Sequence, residues 1–519
     1  MADTALRSES EALGLSPALK AVGLAAVAAI AIGMLYGVWI LYMQGEAVLA
    51  ALMLALAVAF ALIFSNRRFY ATRFIFPGIA AILLFVAFPV IYTIYLGFTN
   101  YSSFNLLSFE RTQAVLLANS IVDKSTERPF ALVADAGAYR VFLPEGTGGF
   151  LSEPTPLDGT AVVLKANPVD AAPANPLAMK DVIKFRTQLA AIKVALPDGT
   201  ELQSSGLRNF AKIRSEYALQ PDGSLVSSTD GSVLTPDHSR GFYVNAKGET
   251  VAPGWRVNIG LGNFARIFFS EGIRQPFLSI FVWTVVFAFL SVLLTWALGL
   301  ALASILQWPH LSYKPIYRLL LILPYSVPAF ISILVFKGLF NQNFGEINLI
   351  LGALFGGRPS WNTDPWLAKL TILVVNIWLG YPYMMLLAMG FLQGVPQDHK
   401  KAAALEGANA FRIFFTITLP QIIPAFLPLL IASFAFNFNN IVLVLLLTRG
   451  GPDMPGTIIP AGQTDILGSF TYRISFSDSA QQFGLSGAIT LIIFVIVSII
   501  AYANFTALRR AAAGKGSST

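Results

Sequence analysis

The chain of 519 residues lacks cysteine, has only three histidines and carries few charged side chains. The absence of cysteine excludes disulfide scaffolds, Cys-ligated zinc or iron–sulfur sites and thiol catalysis. With three histidines, a His-based metal site is a poor candidate, and we expect no metal site in this chain. Charged residues make up 12% of the sequence, against roughly 25% in soluble domains, which excludes an ordinary cytosolic enzyme.

In place of charge, the sequence has long apolar runs. A helix needs about 20 apolar residues to cross the hydrocarbon core of a bilayer, and eight segments are long enough. One charged residue, Lys337, lies within them, close enough to a segment end to reach the interface. We therefore predict an all-α polytopic membrane protein with eight transmembrane helices. Spans 1 to 8 are Ala21–Met43, Ala47–Ser65, Phe74–Phe98, Phe277–Leu306, Leu319–Phe340, Leu370–Leu392, Gln421–Thr448 and Leu485–Leu508.

Lysine and arginine are concentrated in alternate connections between these spans. Such connections face the cytoplasm according to the positive-inside rule, so both termini are expected to be cytoplasmic. The basic residues on that side are Arg67, Arg68 and Arg73 after span 2, Lys314 and Arg318 before span 5, Lys400, Lys401 and Arg412 after span 6, and Arg509, Arg510 and Lys515 in the tail.

The connection between spans 3 and 4, residues 99–276, is of ordinary domain size and lies on the opposite side. Turn signals such as Pro197-Asp198-Gly199 and Pro221-Asp222-Gly223 separate short β-branched and apolar stretches. We predict a mostly β extracytoplasmic insert domain. The predicted organisation is an N-terminal tail with spans 1–3 (1–98), the insert (99–276), spans 4–8 (277–508) and a cytoplasmic tail (509–519).

The eight spans contain no Asp, Glu or His. Proton-coupled carriers generally need an ionisable residue inside the membrane, so this counts against a proton symporter. A sodium site built from backbone carbonyls needs no ionisable side chain within a span, so a sodium-coupled carrier stays an alternative. The sequence also has no phosphate-binding loop and no catalytic constellation. We therefore predict that the chain is not an enzyme and binds no cofactor itself.

Two sets of mostly polar residues recur at offsets of 0, 3, 4 and 7, which places each set on one helical face. At about 1.5 Å of rise per residue, the two sets overlap in depth. Amides suit the vicinal hydroxyls of a sugar, aromatic rings suit its C–H faces, and a glycine would let a ligand approach the backbone. The alternative is hydrogen bonding between helices. The substrate-site candidates are Asn376, Leu379, Gly380 and Tyr383 in span 6, and Ser433, Phe436, Asn437 and Asn440 in span 7.

The connection between spans 6 and 7, residues 394–420, is predicted to form a short helix–turn–helix. Asp398 can cap the first helix and Gly407 can end it, and a second amphipathic turn begins near Phe411. From these features alone, the element is either a surface helix that steadies two spans or a docking site for a partner.

This connection resembles the EAA loop of ABC importer permeases, through Gly407-Ala408, the aromatic run Phe411 to Phe415, and Leu419-Pro420. Eight spans with a large insert after the third are similar to the MalF family of type I maltose importer permeases. The segments that carry this further resemblance are Phe277–Phe287, Leu321–Phe344, Trp378–Met385 and Ile431–Asn440.

The resemblance implies a complex in the bacterial inner membrane. Its other members would be a MalG-like second permease and two copies of a MalK-like ATPase, which holds ATP and magnesium. A periplasmic maltose-binding protein would deliver the sugar to the periplasmic side, where the insert lies. The family's sugar-site residues map onto the two polar sets above. The residues implied to couple to the ATPase are Lys401, Ala402, Ala403, Glu406, Gly407, Ala408 and Phe411.

Two positions depart from the family pattern, and only one of them changes the charge. The family usually has Glu where this chain has Lys401, and Asp where it has Glu406. Lys401 reverses a charge, so a salt bridge expected from the family cannot form there in the usual way. The resulting hypothesis is the permease subunit of an ATP-driven maltose or maltodextrin importer. The alternatives are an importer of another oligosaccharide and a self-sufficient secondary transporter.

Overall fold

The computed structural model describes residues 17–135, 137–478 and 481–516. Residues 1–16 of the predicted N-terminal tail and 517–519 of the predicted cytoplasmic tail lie outside the described residues. The chain divides into two compact units. One comprises Thr99–Gly262 with Asp478–Phe483, and the other comprises the remaining, mostly helical, part.

Helices dominate the second unit, which we call the membrane unit. The helices along the described chain are α1 Pro17–Met43, α2 Ala47–Ser65, α3 Tyr70–Ile82, α4 Phe88–Leu96, α5 Phe109–Ala118, α6 Met179–Val182, α7 Arg186–Ala190, α8 Gly262–Phe269, α9 Glu271–Leu306, α10 Lys314–Ser326, α11 Ala329–Leu339, α12 Glu346–Phe355, α13 Pro365–Gln393, α14 Gln397–Leu405, α15 Ala410–Ile413, α16 Leu419–Phe438, α17 Ile441–Leu447, α18 Leu467–Phe476 and α19 Phe483–Gly516.

Seven segments of the described chain are single helices long and apolar enough to cross a membrane. The prediction of eight spans is confirmed if one further pair of bent helices is counted as a span. The seven segments are Ala21–Met43, Ala47–Ser65, Tyr70–Leu96, Glu271–Leu306, Pro365–Gln393, Ala410–Phe438 and Phe483–Ala503. Segment Tyr70–Leu96 joins α3 and α4 through a π-helical turn at Leu83–Ala87.

The bent pair corresponds to span 5, predicted over Leu319–Phe340, which the structure divides into two helices. Its two helices, α10 and α11, meet at an angle of 92°. Val327 has an extended backbone (φ −88°, ψ 130°) because the ring of Pro328 disfavours a helical residue before it. Pro328 then serves as the N-cap of α11.

Span 7, predicted as Gln421–Thr448, is also interrupted. Helix α16 ends at Phe438, and α17 begins at Ile441, with Asn439 and Asn440 between them. Asn440 therefore does not share a continuous helical face with Ser433, Phe436 and Asn437. Short side chains that compete with backbone hydrogen bonds favour such breaks, and two adjacent asparagines provide them.

The core of the membrane unit lies where α9 packs along α13. Two glycines bring these helices close together. A Cβ atom on Gly299 would lie 2.7 Å from the backbone nitrogen of Met385, and one on Gly380 would lie 2.8 Å from Cγ2 of Thr295. Small residues at helix contacts allow this approach in membranes, where packing replaces the hydrophobic effect between helices. The contact fixes α13, and with it the first polar set.

The first unit is rich in β-structure, as predicted for the insert. Its strands are β1 Ser120–Val122, β2 Arg128–Pro129, β3 Ala131–Asp135, β4 Ala138–Glu145, β5 Gly148–Ser152, β6 Val162–Val169, β7 Ile192–Ala195, β8 Glu201–Ser204, β9 Asn209–Ala211, β10 Ile213–Ser215, β11 Tyr217–Leu219, β12 Leu225–Ser227, β13 Val233–Asp237, β14 Phe242–Val244 and β15 Thr250–Val251.

These strands form an eight-stranded sheet in the order β2-β9-β8-β7-β6-β5-β4-β3, a five-stranded meander β11 to β15, and the pair β1-β10. The large sheet is antiparallel except for β6 and β7, which run parallel. Helices α6 and α7 lie in the connection between those two strands, and Val182 and Leu189 pack into the same core as Leu143, Val194 and Phe210. The insert thus has a hydrophobic core of its own.

Candidate substrate site and coupling loop

The two predicted polar sets meet between α13 and the end of α16. Nδ2 of Asn376 donates a hydrogen bond of 2.8 Å to Oδ1 of Asn437. From the interruption after α16, Nδ2 of Asn440 donates to Oδ1 of Asn376 at 3.5 Å. We call these three side chains the amide cluster. Asn376 and Asn437 are both buried. The structure therefore brings Asn376 of span 6 together with Asn437 and Asn440 of span 7.

Backbone contacts hold the cluster in place. Nδ2 of Asn437 donates to the carbonyl oxygen of Ser433, one turn earlier, at 2.8 Å. Ser433 thus contributes its carbonyl to this geometry. Asn440 reaches Asn376 from the non-helical interruption between α16 and α17.

Two predicted aromatic residues, Tyr383 and Phe436, present exposed rings, and Phe436 is 69% exposed. Such rings at membrane depth can cover the apolar face of a sugar. Leu379 is half-buried and packs against the hydrophobic cluster that contains Phe340 and Ile372. Its visible role is to pack α13 within that cluster.

Gly380 has a structural role that the sequence did not reveal. We expected its missing side chain to admit a ligand, but the space is occupied by Thr295 of α9. The hydroxyl of Thr295 donates to the carbonyl of Ser291 at 2.6 Å, which directs the hydroxyl towards its own helix. Gly380 therefore supports the site by allowing α9 and α13 to pack closely.

Other supporting residues were missed because their partners are distant in sequence. The hydroxyl of Tyr381 donates to the carbonyl of Leu321 at 3.1 Å and ties α13 to α10. Its position between the predicted residues Gly380 and Tyr383 gave no signal for this contact.

A buried ionic network stabilises the connection after α17. Asp465 is fully buried, and its carboxylate accepts hydrogen bonds from Arg473, from the Gly462 nitrogen and from Ser469, at 2.7 to 2.8 Å. Arg473 also donates to Asp453 at 2.6 Å. Burial raises the pKa of Asp465 above its usual value, and the adjacent guanidinium opposes that shift. The turn signal at Gly450-Gly451-Pro452 marks this connection in the sequence.

The predicted coupling loop is a helix–turn–helix formed by α14 and α15. Gly407 ends α14 in the left-handed region (φ +86°), and the nitrogen of Ala408 donates to the carbonyl of Ala403 at 3.0 Å. Pro396, rather than Asp398, is the N-cap of α14, because Asp398 already lies in the first turn. Asn409 caps α15 by accepting a hydrogen bond from the nitrogen of Arg412. A π-helical turn, Phe414–Thr418, connects α15 to α16.

The coupling loop exposes large apolar side chains. Leu405 is 90% exposed and Phe411 is 78% exposed. Lys401, the residue that reverses a charge of the family pattern, lies 3.8 Å from Asp398 on the same helix, and both side chains are mostly exposed. An exposed ion pair of this kind contributes little to stability. A surface with these apolar groups is typical of a binding site for another protein.

Comparison with known families matches both units. The description "Maltose transport system permease protein MalF P2 domain" matches residues 107–260. The description "Binding-protein-dependent transport system inner membrane component" matches residues 297–511.

Curated relatives match along nearly the whole chain. The maltose/maltodextrin transport system permease protein MalF of Vibrio vulnificus (strain YJ016) is 47% identical over 478 residues, which cover 90% of this chain and 91% of the relative. MalF of Salmonella typhimurium is 47% identical over 490 residues, which cover 92% of this chain and 95% of the relative.

Among solved structures, a chain of a bacterial alginate ABC transporter in complex with an alginate-bound periplasmic protein is 20% identical. The match has a TM-score of 0.42 and covers 49% of this chain and 83% of that chain.

Proposed function

The chain belongs to the MalF family of maltose/maltodextrin transport permeases, and on that premise we propose how it binds sugar and responds to ATP. It is the membrane-spanning permease subunit of a maltose ABC importer. The observation that carries this function is the similarity to MalF relatives over about nine-tenths of the chain, including both units.

For the sugar site, we propose the amide cluster together with Tyr383, Phe436, Ser433 and Leu379. An amide offers both a donor and an acceptor, so the bond between Asn376 and Asn437 can be exchanged for bonds to two sugar hydroxyls. The exchange satisfies the buried amides in either state, which avoids the cost of an unpaired polar group. Tyr383 and Phe436 then cover the apolar ring face. Gly380 belongs to the site through its packing against Thr295.

For the coupling to ATP, we propose that the loop around Gly407 docks on a partner ATPase. The docking residues are Lys401, Ala402, Ala403, Glu406, Gly407, Ala408 and Phe411, together with the exposed Leu405. ATP and magnesium bind to the partner, which hydrolyses the ATP, and this chain binds no cofactor. If ATP binds the closed ATPase more tightly, it shifts the population of the permease between outward and inward access.

For the assembly, we propose one MalG-like permease, two copies of a MalK-like ATPase and a periplasmic maltose-binding protein. The complex lies in the bacterial inner membrane, to which the apolar helices suit it. Both termini and the coupling loop face the cytoplasm, and the insert unit faces the periplasm. The distribution of Lys and Arg between the connections supports this orientation.

Purification and reconstitution test the proposal. The tagged chain should co-purify with an ATPase and a second permease, and vesicles containing the complex should take up radiolabelled maltose only with ATP and binding protein. Uptake by this chain alone, driven by an ion gradient, would show a secondary transporter. A preference for an unrelated disaccharide over glucose polymers would identify an importer of another oligosaccharide.

A further inference from the structure

A large cleft lies between the end of α9 and the coupling loop; the proposed sugar site does not include it, and it shares Phe411 with the proposed ATPase-docking residues. Its volume is about 1040 Å³, at the upper end of the roughly 300–1,000 Å³ of small-molecule pockets. One wall is formed by α9 from Trp296 to its end, and the opposite wall by α15, the π-helical turn and the start of α16.

The lining changes character along the cleft. The part towards the middle of α9, which we call the deep part, is lined by the apolar Trp296 and Leu300, whereas the mouth, at the end of α9 beside the coupling loop, carries Gln307 and Lys400. From Trp296 to Leu306, α9 rises about 15 Å, which is half of the roughly 30 Å hydrocarbon core. The cleft therefore spans about one leaflet, with its polar mouth at headgroup level. Trp308 also lines the mouth, and tryptophan is enriched at that level.

Lys400 places a positive charge at the mouth. Within the described residues, its ammonium forms no ion pair, whereas the neighbouring Lys401 pairs with Asp398. Burial lowers the pKa of Lys400 because the ammonium is partly removed from water. A partly desolvated cation without an acidic partner is stabilised by an anion bound beside it.

We propose that this cleft binds one anionic phospholipid of the cytoplasmic leaflet, with its phosphate beside Lys400 and an acyl chain against Trp296 and Leu300. The gradient from apolar depth to basic mouth matches a phospholipid from tail to headgroup. Basic pockets on the cytoplasmic side of transmembrane helices are suited to such headgroups. A transmembrane helix of a partner would fill the deep part of the cleft but would provide no anion to pair with the ammonium of Lys400. The inference rests on the proposed cytoplasmic position of the coupling loop.

Photocrosslinking in nanodiscs tests this site. The complete complex is reconstituted in phosphatidylcholine mixed with phosphatidylglycerol, with p-benzoylphenylalanine in place of Ala301, which lines the cleft. The control position is Leu298, which is exposed on α9 outside the cleft. Mass spectrometry of the adducts should show phosphatidylglycerol enriched over its share in the nanodisc at position 301 and not at position 298.

Two charge variants show whether Lys400 is responsible. Lys400→Gln should lower the enrichment at position 301 about fivefold, which is the worth of one basic side chain near an anionic surface. Lys314→Gln removes a charge from the start of α10, outside the cleft, and should leave the enrichment unchanged.

Three results would overturn the proposal: an adduct to a partner polypeptide at position 301, equal lipid ratios at positions 301 and 298, or equal effects of the two charge variants. Maltose uptake is measured in parallel on the unsubstituted complex and the two charge variants, reconstituted in closed vesicles of the same lipid mixture. Uptake without lipid enrichment refutes only the lipid site, whereas the absence of ATP-dependent uptake refutes the proposed function whatever the lipid result.

Discussion

At the scale of single residues, the amide cluster is the feature that we expect to be most sensitive to substitution. Asn437→Ala removes the acceptor of Asn376 and leaves that buried amide short of a partner. In the proposed site the sugar also loses one of its hydrogen-bonding amides, at a cost of about 1–3 kcal/mol of binding, so we expect sugar uptake to fall about tenfold or more while the complex still assembles. Uptake of radiolabelled maltose by reconstituted vesicles measures the change.

Asn439→Ala is the matched control for this variant. Asn439 is exposed and its side chain does not join the amide cluster. Normal uptake by both variants would refute the proposed site, and equal loss in both would indicate that the interruption between α16 and α17 matters instead of the amide.

Gly380 gives a second prediction at this scale. In Gly380→Ala, the new methyl group would lie 2.8 Å from Cγ2 of Thr295. Overpacking of this kind costs about 1–3 kcal/mol, and we expect a lower melting temperature of the purified complex. Thr295→Ser removes the clashing methyl group and keeps the hydroxyl, so the double variant should recover the melting temperature.

The double variant also distinguishes packing from ligand contact. If Gly380 instead had to stay small for the sugar, Thr295→Ser would not restore maltose uptake in the Gly380→Ala background. Recovery of stability and uptake together is the outcome that the structure predicts.

The sequence predicted the polar residues of the site better than the supporting ones. Asn376 and Asn437 recur at helical spacing within long apolar runs, so a single-chain pattern singles them out. The partner of Gly380 and the acceptor of Tyr381 lie on other helices, and no local pattern predicts them. Packing contacts depend on which helices are neighbours, which the fold decides.

At the scale of elements, the turn of the coupling loop is the feature that we expect to be most sensitive to mutation. Gly407 has φ +86°, and its nitrogen donates to the carbonyl of Ala404. Gly407→Pro fixes φ near −65° and removes this donor, so we expect the loop to lose its shape and transport to become uncoupled from ATP hydrolysis. Maltose-dependent ATPase activity and uptake of the reconstituted complex are the measurements.

Gly407→Asn is the matched variant, because asparagine tolerates the left-handed region. It should retain most of the coupled activity. A fully coupled Gly407→Pro complex would count against the docking role of the loop.

Prolines explain why some elements were harder to predict than others. Pro382 lies inside the continuous helix α13, and Pro424 and Pro428 lie inside α16, yet Pro328 separates two helices at 92°. The difference is the extended backbone of Val327. A proline in an apolar run therefore predicts a weak point, and the surrounding packing determines whether the helix bends, breaks or continues.

At the scale of the whole molecule, the apolar runs and the turn signals of the sequence predicted the architecture well. Apolar length predicted the spans, and turn signals predicted a β-rich insert. The sequence could not predict the strand order of the eight-stranded sheet, because β2 pairs with β9, and the paired residues Arg128 and Phe210 are separated by about half of the insert. Such long-range pairing leaves no periodic signal.

The insert unit should fold without the membrane unit. Its two cores contain fully buried side chains, among them Leu143, Phe210 and Tyr243. We expect residues 99–262, expressed alone, to give a β-type circular dichroism spectrum and a cooperative thermal transition. Leu143→Asp would place a charge in the core and should abolish the transition, whereas Lys247→Asp, in an exposed turn, should not. A non-cooperative melt of the unaltered fragment would contradict this expectation.

The two ends of the insert lie side by side. The nitrogen of Asn100 donates to the carbonyl of Val257, and the nitrogen of Val257 donates back to Oδ1 of Asn100. On the membrane side, Nδ2 of Asn263 donates to the carbonyl of Gly97 at 3.0 Å. Because its two ends lie next to each other, the insert can be removed from a chain, or added to one, without distorting the membrane unit. After removal, a tight loop from Phe98 to Asn263 would close the gap. Gain or loss of the whole insert during evolution therefore requires little structural change in the rest of such a permease.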